Sequence, residues 1–184
     1  MIYAALLRGI NVGGHNKVNM KELKEAFEQL GMSSVKTYIN SGNIVFQDSR
    51  EKAQVTVLLE QAILERFGLS IKVLVYSLEE YSCIAKAVPP EWANDKQLKS
   101  DVLFLWQQVD QQHVLEQLPL KPDIDRAMYV PGAVLWSVDR EHVSKSGMAK
   151  IVGTALYKQV TIRNVNTVRK IYELMRELEG QVTK

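Results

Sequence analysis

Residues 35–46 read VKTYINSGNIVF, in which two short β-rich runs are joined through Ser41-Gly42. This pattern predicts a β-hairpin. On both sides of the hairpin, apolar residues recur at intervals of three and four, which indicates amphipathic helices. Beyond each helix lies a short apolar strand, Ile2–Arg8 on the N-terminal side and Ile71–Tyr76 on the C-terminal side. The segment therefore predicts the order β-α-β-β-α-β.

The helices of this first part have sequence signals at their ends. Asn19 and Glu22 form a capping-box pattern before the first helix, and Gly31 is positioned to stop it. Ser77 and Glu80 form a second capping box after the last strand. We therefore expect an additional short helix to follow the βαββαβ pattern.

The same order recurs in the second part of the chain, after a break. The proline-containing and polar residues 89–100 interrupt the first pattern and predict a boundary. Strands are then predicted at Val102–Trp106, Arg126–Val130, Ala133–Val138 and Val160–Arg163, and helices at His113–Leu118, Met148–Leu156 and Val168–Leu178. We therefore expect an α+β protein with two ferredoxin-like (βαββαβ) halves, residues 1–88 and 101–184, joined by a linker at residues 89–100. Each half carries an extra trailing helix, and the helices pack on mainly antiparallel sheets.

Three segments together resemble a bacterial protein family. Leu6–Gly14, Thr37–Phe46 and Thr161–Val168 follow the order of motifs in the family known as domain of unknown function 1697. The resemblance covers essentially the whole chain and implies a small, soluble α+β protein with duplicated ferredoxin-like halves. It implies no chemistry, because the family has no established activity. Family members often have tryptophan between the two asparagines of the last motif, where this chain has Val165, so stacking is not expected at that position.

The composition narrows the class of protein. The 184 residues include 23 basic and 21 acidic side chains, and the net charge of +2 is too small to indicate a nucleic-acid or membrane partner. No apolar stretch is long enough to span a bilayer, and the N-terminus lacks the cationic start of a signal peptide. The single cysteine, Cys83, indicates a cytoplasmic protein and is expected to be a buried, inert thiol. The three histidines lack metal-ligand spacing, so we expect neither a metal nor a cofactor.

The most informative polar segment follows the first strand, where residues 6–17 read LLRGINVGGHNK. A glycine-rich loop between a strand and a helix can direct backbone N–H groups at an anion. Gly9 and Gly14 have the spacing of a Walker motif, but His15 stands where the lysine is needed and neither Ser nor Thr follows it. The glycines also do not fit G-x-G-x-x-G, so ATP and dinucleotide folds are disfavoured. Two interpretations of equal weight stay open, namely anion binding and a tight turn that needs positive φ at glycine.

Strand direction is expected to bring further polar groups together. The first two strands of a βαββαβ unit are parallel, so the glycine loop and the hairpin loop Asn40–Asn43 should lie at the same end. In the second half, the same reasoning places Lys145–Lys150 near Arg163–Asn166. Each segment has a structural alternative, because Asn, Ser and Gly favour ordinary turns and Asn166 is a credible helix cap. A cation such as Arg163 opposes the dipole at a helix start, and a bound anion would explain its position.

These groups predict a site for a small anionic ligand, for example one that carries phosphate. The candidate ligand-binding residues are Arg8, Gly9, Asn11, Gly13, Gly14, Lys17, Asn40, Ser41, Asn43, Lys145, Lys150, Arg163, Asn164 and Asn166. The sequence identifies neither a general base nor a nucleophile, so it leaves open whether a reaction follows, and it leaves the oligomeric state open as well. The alternative function is a non-catalytic protein- or RNA-binding module. RNA is disfavoured because both faces of the first strand are apolar and no row of aromatic side chains is present for base stacking.

Overall fold

The computed structural model describes residues 1–182. The first part of the chain contains four strands and three helices in the predicted order. Their bounds are β1 (Ile2–Leu7), α1 (Met20–Gln29), β2 (Ser33–Tyr38), β3 (Asn43–Gln47), α2 (Lys52–Phe67), β4 (Val73–Ser77) and α3 (Leu78–Ala87).

The second part repeats the strand order with shorter helical segments. Its strands and α-helices are β5 (Leu98–Leu105), α4 (Val114–Gln117), β6 (Arg126–Val130), β7 (Ala133–Asp139), β8 (Val160–Asn164) and α5 (Val165–Val182). Short 3₁₀ helices lie at Gln107–Val109, Arg140–Lys145, Gly147–Gly153 and Leu156–Gln159.

Each part forms a four-stranded sheet, with strand orders β2-β3-β1-β4 and β6-β7-β5-β8. All neighbouring strands in both sheets are antiparallel. This is the order that a ferredoxin-like unit requires, because each helix carries the chain past a neighbouring strand. The prediction of an α+β fold with two ferredoxin-like halves is confirmed.

The chain divides into two compact units. The first unit consists of Met1–Ser82 and the C-terminal segment from Lys170, and the second consists of Cys83–Arg169. Both boundaries therefore fall inside helices, in α3 and in α5. Within the second unit, the guanidinium of Arg169 donates to the carbonyl of Trp92 at 2.7 Å, which ties the proline-containing segment before β5 to α5.

Each unit has its own apolar core on one face of its sheet. In the first unit, Tyr3, Ala5 and Leu7 alternate along β1 and pack with Phe27 of α1 and Leu59 of α2. In the second unit, residues on one face of the sheet pack with residues of the 3₁₀ segments and form the apolar core. Its members include Leu103, Leu105, Trp136, Val138, Met148 and Ile151.

Two expectations from the sequence are wrong. The predicted helix Met148–Leu156 is instead a series of 3₁₀ turns, and Met148 and Ile151 are buried in either geometry because residues three apart share a face of both helix types. Cys83 is exposed rather than buried. The buried residues Tyr81 and Ile84 of α3 are three apart, and Cys83 lies off that apolar face.

No helix among residues 1–182 combines the length and the apolar character needed to cross a membrane.

Candidate functional site

The loop between β1 and α1 contains a two-residue turn. The backbone N–H of His15 donates to the carbonyl of Val12 at 3.0 Å. The two central residues, Gly13 and Gly14, have φ angles of 58° and 79°. Positive φ at both central positions is the geometry of a type I′ turn, which glycine adopts without the strain that most other residues would have there. Both glycines therefore have the positive φ that the tight-turn interpretation requires.

Asn11 joins this loop to the hairpin loop between β2 and β3. Its backbone is left-handed, with a φ of 53°. Its Nδ2 donates to the carbonyls of Val18 at 3.0 Å and Asn40 at 2.8 Å, and its Oδ1 accepts from the N–H of Val18 at 2.8 Å. The glycine loop and the hairpin loop therefore lie at the same end of the first sheet, as the parallel direction of β1 and β2 predicts.

Gly42 allows the hairpin loop to approach the end of β1. Its carbonyl accepts a hydrogen bond from the N–H of Leu7 at 2.8 Å. A Cβ at Gly42 would lie 2.7 Å from the Cβ of Leu7 and 2.9 Å from the Cδ1 of Ile10. A larger residue at position 42 would push the two loops apart.

Two of the asparagines stabilise the loops in which they lie. Asn43 is fully buried, and its Nδ2 donates to the carbonyl of Tyr38 at 3.1 Å and to the Oγ of Ser41 at 2.9 Å. Asn16 donates from its Nδ2 to the carbonyl of Gly9 at 2.9 Å. The side chain of Asn43 is thus directed into the hairpin rather than towards solvent.

A surface groove lies where these loops meet the start of α1, and we call it the α1 groove. It is lined by Asn11, Gly14, Lys17, Val18, Asn19, Met20, Lys21 and Asn40. The lining includes two exposed lysines and no carboxylate. Asn19 caps α1, because its Oδ1 accepts from the backbone N–H of Lys21 at 2.9 Å. Lys21 was missed in the sequence analysis; its position two residues after the cap Asn19 places it in the first turn of α1, beside the loop.

Two apolar side chains are exposed on the same pair of loops. Val12 is 64% exposed and Ile39 is 51% exposed. Ile39 also has a φ of 50°, which is an unfavourable conformation for a β-branched residue. The hairpin loop therefore presents an apolar side chain from a strained backbone.

In the second unit, the predicted cation Arg163 is directed into the protein. It is 8% exposed, and its Nη1 donates to the Oγ1 of Thr161 at 3.0 Å and to the carbonyl of Ile162 at 2.9 Å. Ile162, its neighbour along β8, packs against the core that contains Ile151. Because side chains alternate along a strand, Arg163 lies on the opposite face of the sheet from the segment that carries Lys150.

The asparagines at the junction of β8 and α5 have structural partners. The Oδ1 of Asn164 accepts from the N–H of Thr167 at 2.9 Å, so Asn164 rather than Asn166 caps α5. Asn166 donates from its Nδ2 to the carbonyl of Asn94 at 3.0 Å. Lys145 and Lys150 are exposed, and the carbonyl of Lys145 accepts a hydrogen bond from a lysine side chain.

A buried carboxylate that the sequence analysis did not select organises the same region. The Oδ1 of Asp125 accepts from the Nε1 of Trp136 at 3.0 Å and from the Oγ of Ser146 at 2.5 Å. Its Oδ2 accepts from the backbone N–H groups of Lys121 at 2.9 Å and Gly147 at 3.0 Å. Burial raises the pKa of Asp125, but these hydrogen bonds outweigh it and hold the pKa below its ordinary value.

Among residues 1–182, no group of three or more His, Cys, Asp or Glu side chains is arranged to hold a metal ion.

These features define a duplicated ferredoxin-like α+β protein with a polar groove at the start of its first helix. The chain belongs to the family described as Protein of unknown function (DUF1697), whose model matches residues 1–136. It is 33% identical to the conserved bacterial protein SP0830 from Streptococcus pneumoniae, whose solved structure superposes with a TM-score of 0.81. That match covers 95% of this chain and 98% of the other. No curated protein matches the chain.

Proposed function

We propose that the first unit binds a small anionic, phosphate-bearing ligand in the α1 groove. The observation that carries this proposal is the lining of the groove, which includes Lys17 and Lys21 and no acidic residue. Two ammonium groups beside a helix start create a positive potential that favours an anion. The site consists of groups that line the groove, with Gly14, Asn11 and Asn40 beside the lysines.

Backbone geometry supports the same ligand class. No described residue accepts a hydrogen bond from the backbone N–H of Gly14, which lines the groove in a left-handed conformation. Left-handed backbone turns direct N–H groups outward and form concave anion sites. The hydrogen bond from Asn11 to Asn40 fixes the two walls of the groove relative to each other, which reduces the ordering cost on binding.

The remaining predicted residues have smaller parts in this proposal. Arg8 and Gly9 belong to the same loop, and Ser41 and Asn43 hold the hairpin that forms one wall. Lys145, Lys150, Asn164 and Asn166 stay a prediction for the polar end of the second unit. Substitution of Arg163 is not a suitable test of binding, because removing this buried side chain would leave a cavity beside Thr161 and destabilise the unit.

We also propose that the protein works in a reducing compartment such as the cytoplasm. Its one cysteine, Cys83, is exposed, and an exposed free thiol is maintained in a reducing environment.

The experiment is a thermal-shift screen with inorganic phosphate, nucleoside phosphates and phosphosugars. A ligand at 100 times its dissociation constant adds about 2.7 kcal/mol to stability. We expect the double variant Lys17→Ala/Lys21→Ala to lose the shift that the wild type shows. Lys96→Ala, an exposed lysine of the second unit, is the matched control and should keep it. A shift that survives in the double variant, or no shift with any anion, contradicts the proposal.

A protein partner is the second candidate, and the exposed side chains of Val12 and Ile39 favour it. Apolar side chains at loop tips are typical of protein contacts when they lie close together. This function would be favoured if no small anion shifts the melting temperature and if a binding assay shows that the wild type, but not Val12→Ser/Ile39→Ser, retains a protein partner. Salt-sensitive retention of single-stranded RNA would instead favour the RNA-binding alternative.

A further inference from the structure

The second unit contains a small cavity on the helix-covered face of its sheet. Its volume is about 100 Å³. Most of the lining is apolar, and the remainder consists of one carboxyl, one ammonium and one hydroxyl group. The lining residues are Lys99, Asp101, Leu103, Trp136, Val143, Ser146, Met148, Ala149, Ile151 and Ile162.

Asp101 is the unusual member of this lining. It stands on β5 opposite Trp136 of β7, two positions before the core residue Leu103, so its side chain lies on the core face. No residue in the described part of the chain donates a hydrogen bond to its carboxyl group, and because Asp101 is only partly buried, its carboxyl oxygens stay accessible to the cavity and to solvent. An ionised carboxyl group that accepts no hydrogen bond from its own chain has its full acceptor capacity for a ligand that enters the cavity.

The charged groups around Asp101 act on it only through space. Lys99 and Arg140 lower its pKa, but burial has the larger effect and raises the pKa above its ordinary value. Arg140 is already used, since its guanidinium donates to the carbonyl of Asp95 at 2.8 Å. On the other side, Asp125 bonds to Trp136, so a second negative charge stands behind the cavity wall.

Trp136 makes the cavity suitable for a cation. Its indole ring already attracts the Nζ of Lys99, which lies 5.7 Å from the ring centroid. An aromatic face and a carboxylate are the two groups that proteins use to hold an ammonium ion. The bond from its Nε1 to Asp125 is 3.0 Å long and fixes the orientation of the ring.

We propose that this cavity is a binding site for a small organic ammonium ion, with Asp101 as the counter-charge and Trp136 as the aromatic wall. The volume sets the size of the ligand. A cavity of roughly 150 Å³ holds benzene, so this one takes an amine of about four heavy atoms. The apolar lining from Met148 and Ile151 contacts the alkyl chain, and the ammonium group donates to Asp101.

The test uses propylammonium chloride and follows the indole N–H signals of the full chain by two-dimensional NMR at pH 7. All three tryptophans lie in the second unit, and Trp136→Phe assigns the relevant signal. We expect saturable shifts of the Trp136 signal with propylammonium and at least tenfold weaker effects with propanol and with propionate. Sodium chloride at equal concentration corrects for ionic strength.

Two matched variants decide the role of the carboxyl group. Asp101→Asn keeps the side-chain size and should abolish the tenfold preference for propylammonium over propanol. Asp123→Asn makes the same change at an exposed position and should keep it. Equal titrations of the wild type and Asp101→Asn, or no saturable shift of the Trp136 signal in wild type, would overturn the proposal.

Discussion

Replacing Asp125 with asparagine should strongly destabilise the second unit at neutral pH. Asparagine has the same shape, but its Nδ2 cannot accept a hydrogen bond. If its Oδ1 keeps Trp136 and Ser146, its Nδ2 faces the backbone N–H groups of Lys121 and Gly147, which Oδ2 of Asp125 binds at 2.9 and 3.0 Å. In the opposite amide orientation, Nδ2 would face the Nε1 of Trp136 and the Oγ of Ser146, and both groups would lose their acceptor. Either way, at least two buried donors lose their acceptor.

The magnitude follows from these lost bonds. A buried donor without an acceptor costs about 1–3 kcal/mol, so the variant should lose about 2–6 kcal/mol of unfolding free energy. Domain stability is typically about 5–15 kcal/mol, and the loss is therefore a large part of the total. Asp123→Asn changes an exposed carboxylate two residues away and should stay within about 0.5 kcal/mol of wild type.

The pH dependence provides a second, independent readout. The pKa of Asp125 is lowered in the folded protein, so its contribution is present above the unfolded value of about 3.9 and is lost as the pH falls through the folded pKa. The stability difference between wild type and Asp125→Asn should therefore shrink on acidification. Urea unfolding followed by tryptophan fluorescence reports on the second unit, which contains all three tryptophans. A loss below about 1 kcal/mol at pH 7, or a difference that is constant down to pH 3, would refute the reasoning.

Two further substitutions test the same unit. Gly147→Ala should lower the free energy of unfolding by about 3 kcal/mol or more, because its Cβ would lie 1.4 Å from the carbonyl oxygen of Pro119. Gly153→Ala has open space around its Cβ and should stay within about 1 kcal/mol of wild type. Similar urea midpoints for the two variants would contradict this prediction. Asp101→Asn should raise stability at pH 7, because burial raises the folded pKa of this carboxyl and its ionised form is unfavourable there. The gain should vanish below the unfolded pKa of about 3.9, where the carboxyl is protonated in both states, and a destabilised variant at pH 7 would show that Asp101 has a partner.

The fold could be predicted because its signals are local. The hairpin at residues 35–46, the cap at Asn19 and the box at Ser77 and Glu80 each act within a few residues, and the Ser77–Glu80 box is present with both of its hydrogen bonds. The 3₁₀ geometry of Gly147–Gly153 could not be predicted in the same way. The start of this segment is held by a long-range contact that the local sequence does not contain, since Asp125 binds the backbone N–H of Gly147 and the hydroxyl group of Ser146.

The candidate site was predictable only in part, for a related reason. Strand direction places Asn11 beside Asn40, because β1 and β2 are parallel and their C-terminal ends therefore lie at the same end of the sheet. This follows from the topology and does not depend on the side chains. Side-chain direction is a finer property. Arg163 follows Ile162 by one residue, and that single step puts its guanidinium on the opposite sheet face from the segment with Lys150. In addition, the same residue types, Asn, Ser and Gly, serve both to bind a ligand and to stabilise a turn, so the sequence alone does not separate the two roles.

Asp101 and Asp125 are carboxyl groups near one tryptophan, and they differ in what the fold supplies to them. Asp125 accepts four hydrogen bonds and stabilises the structure in its ionised form. Asp101 faces a cavity and receives none from residues 1–182. Binding groups often lower the stability of the free protein, because their hydrogen-bonding capacity is used only when the ligand is bound. The environment of Asp101 fits a binding group in this sense. The two aspartates should therefore respond oppositely to the same substitution at neutral pH, and only Asp101→Asn should alter the response to an added amine.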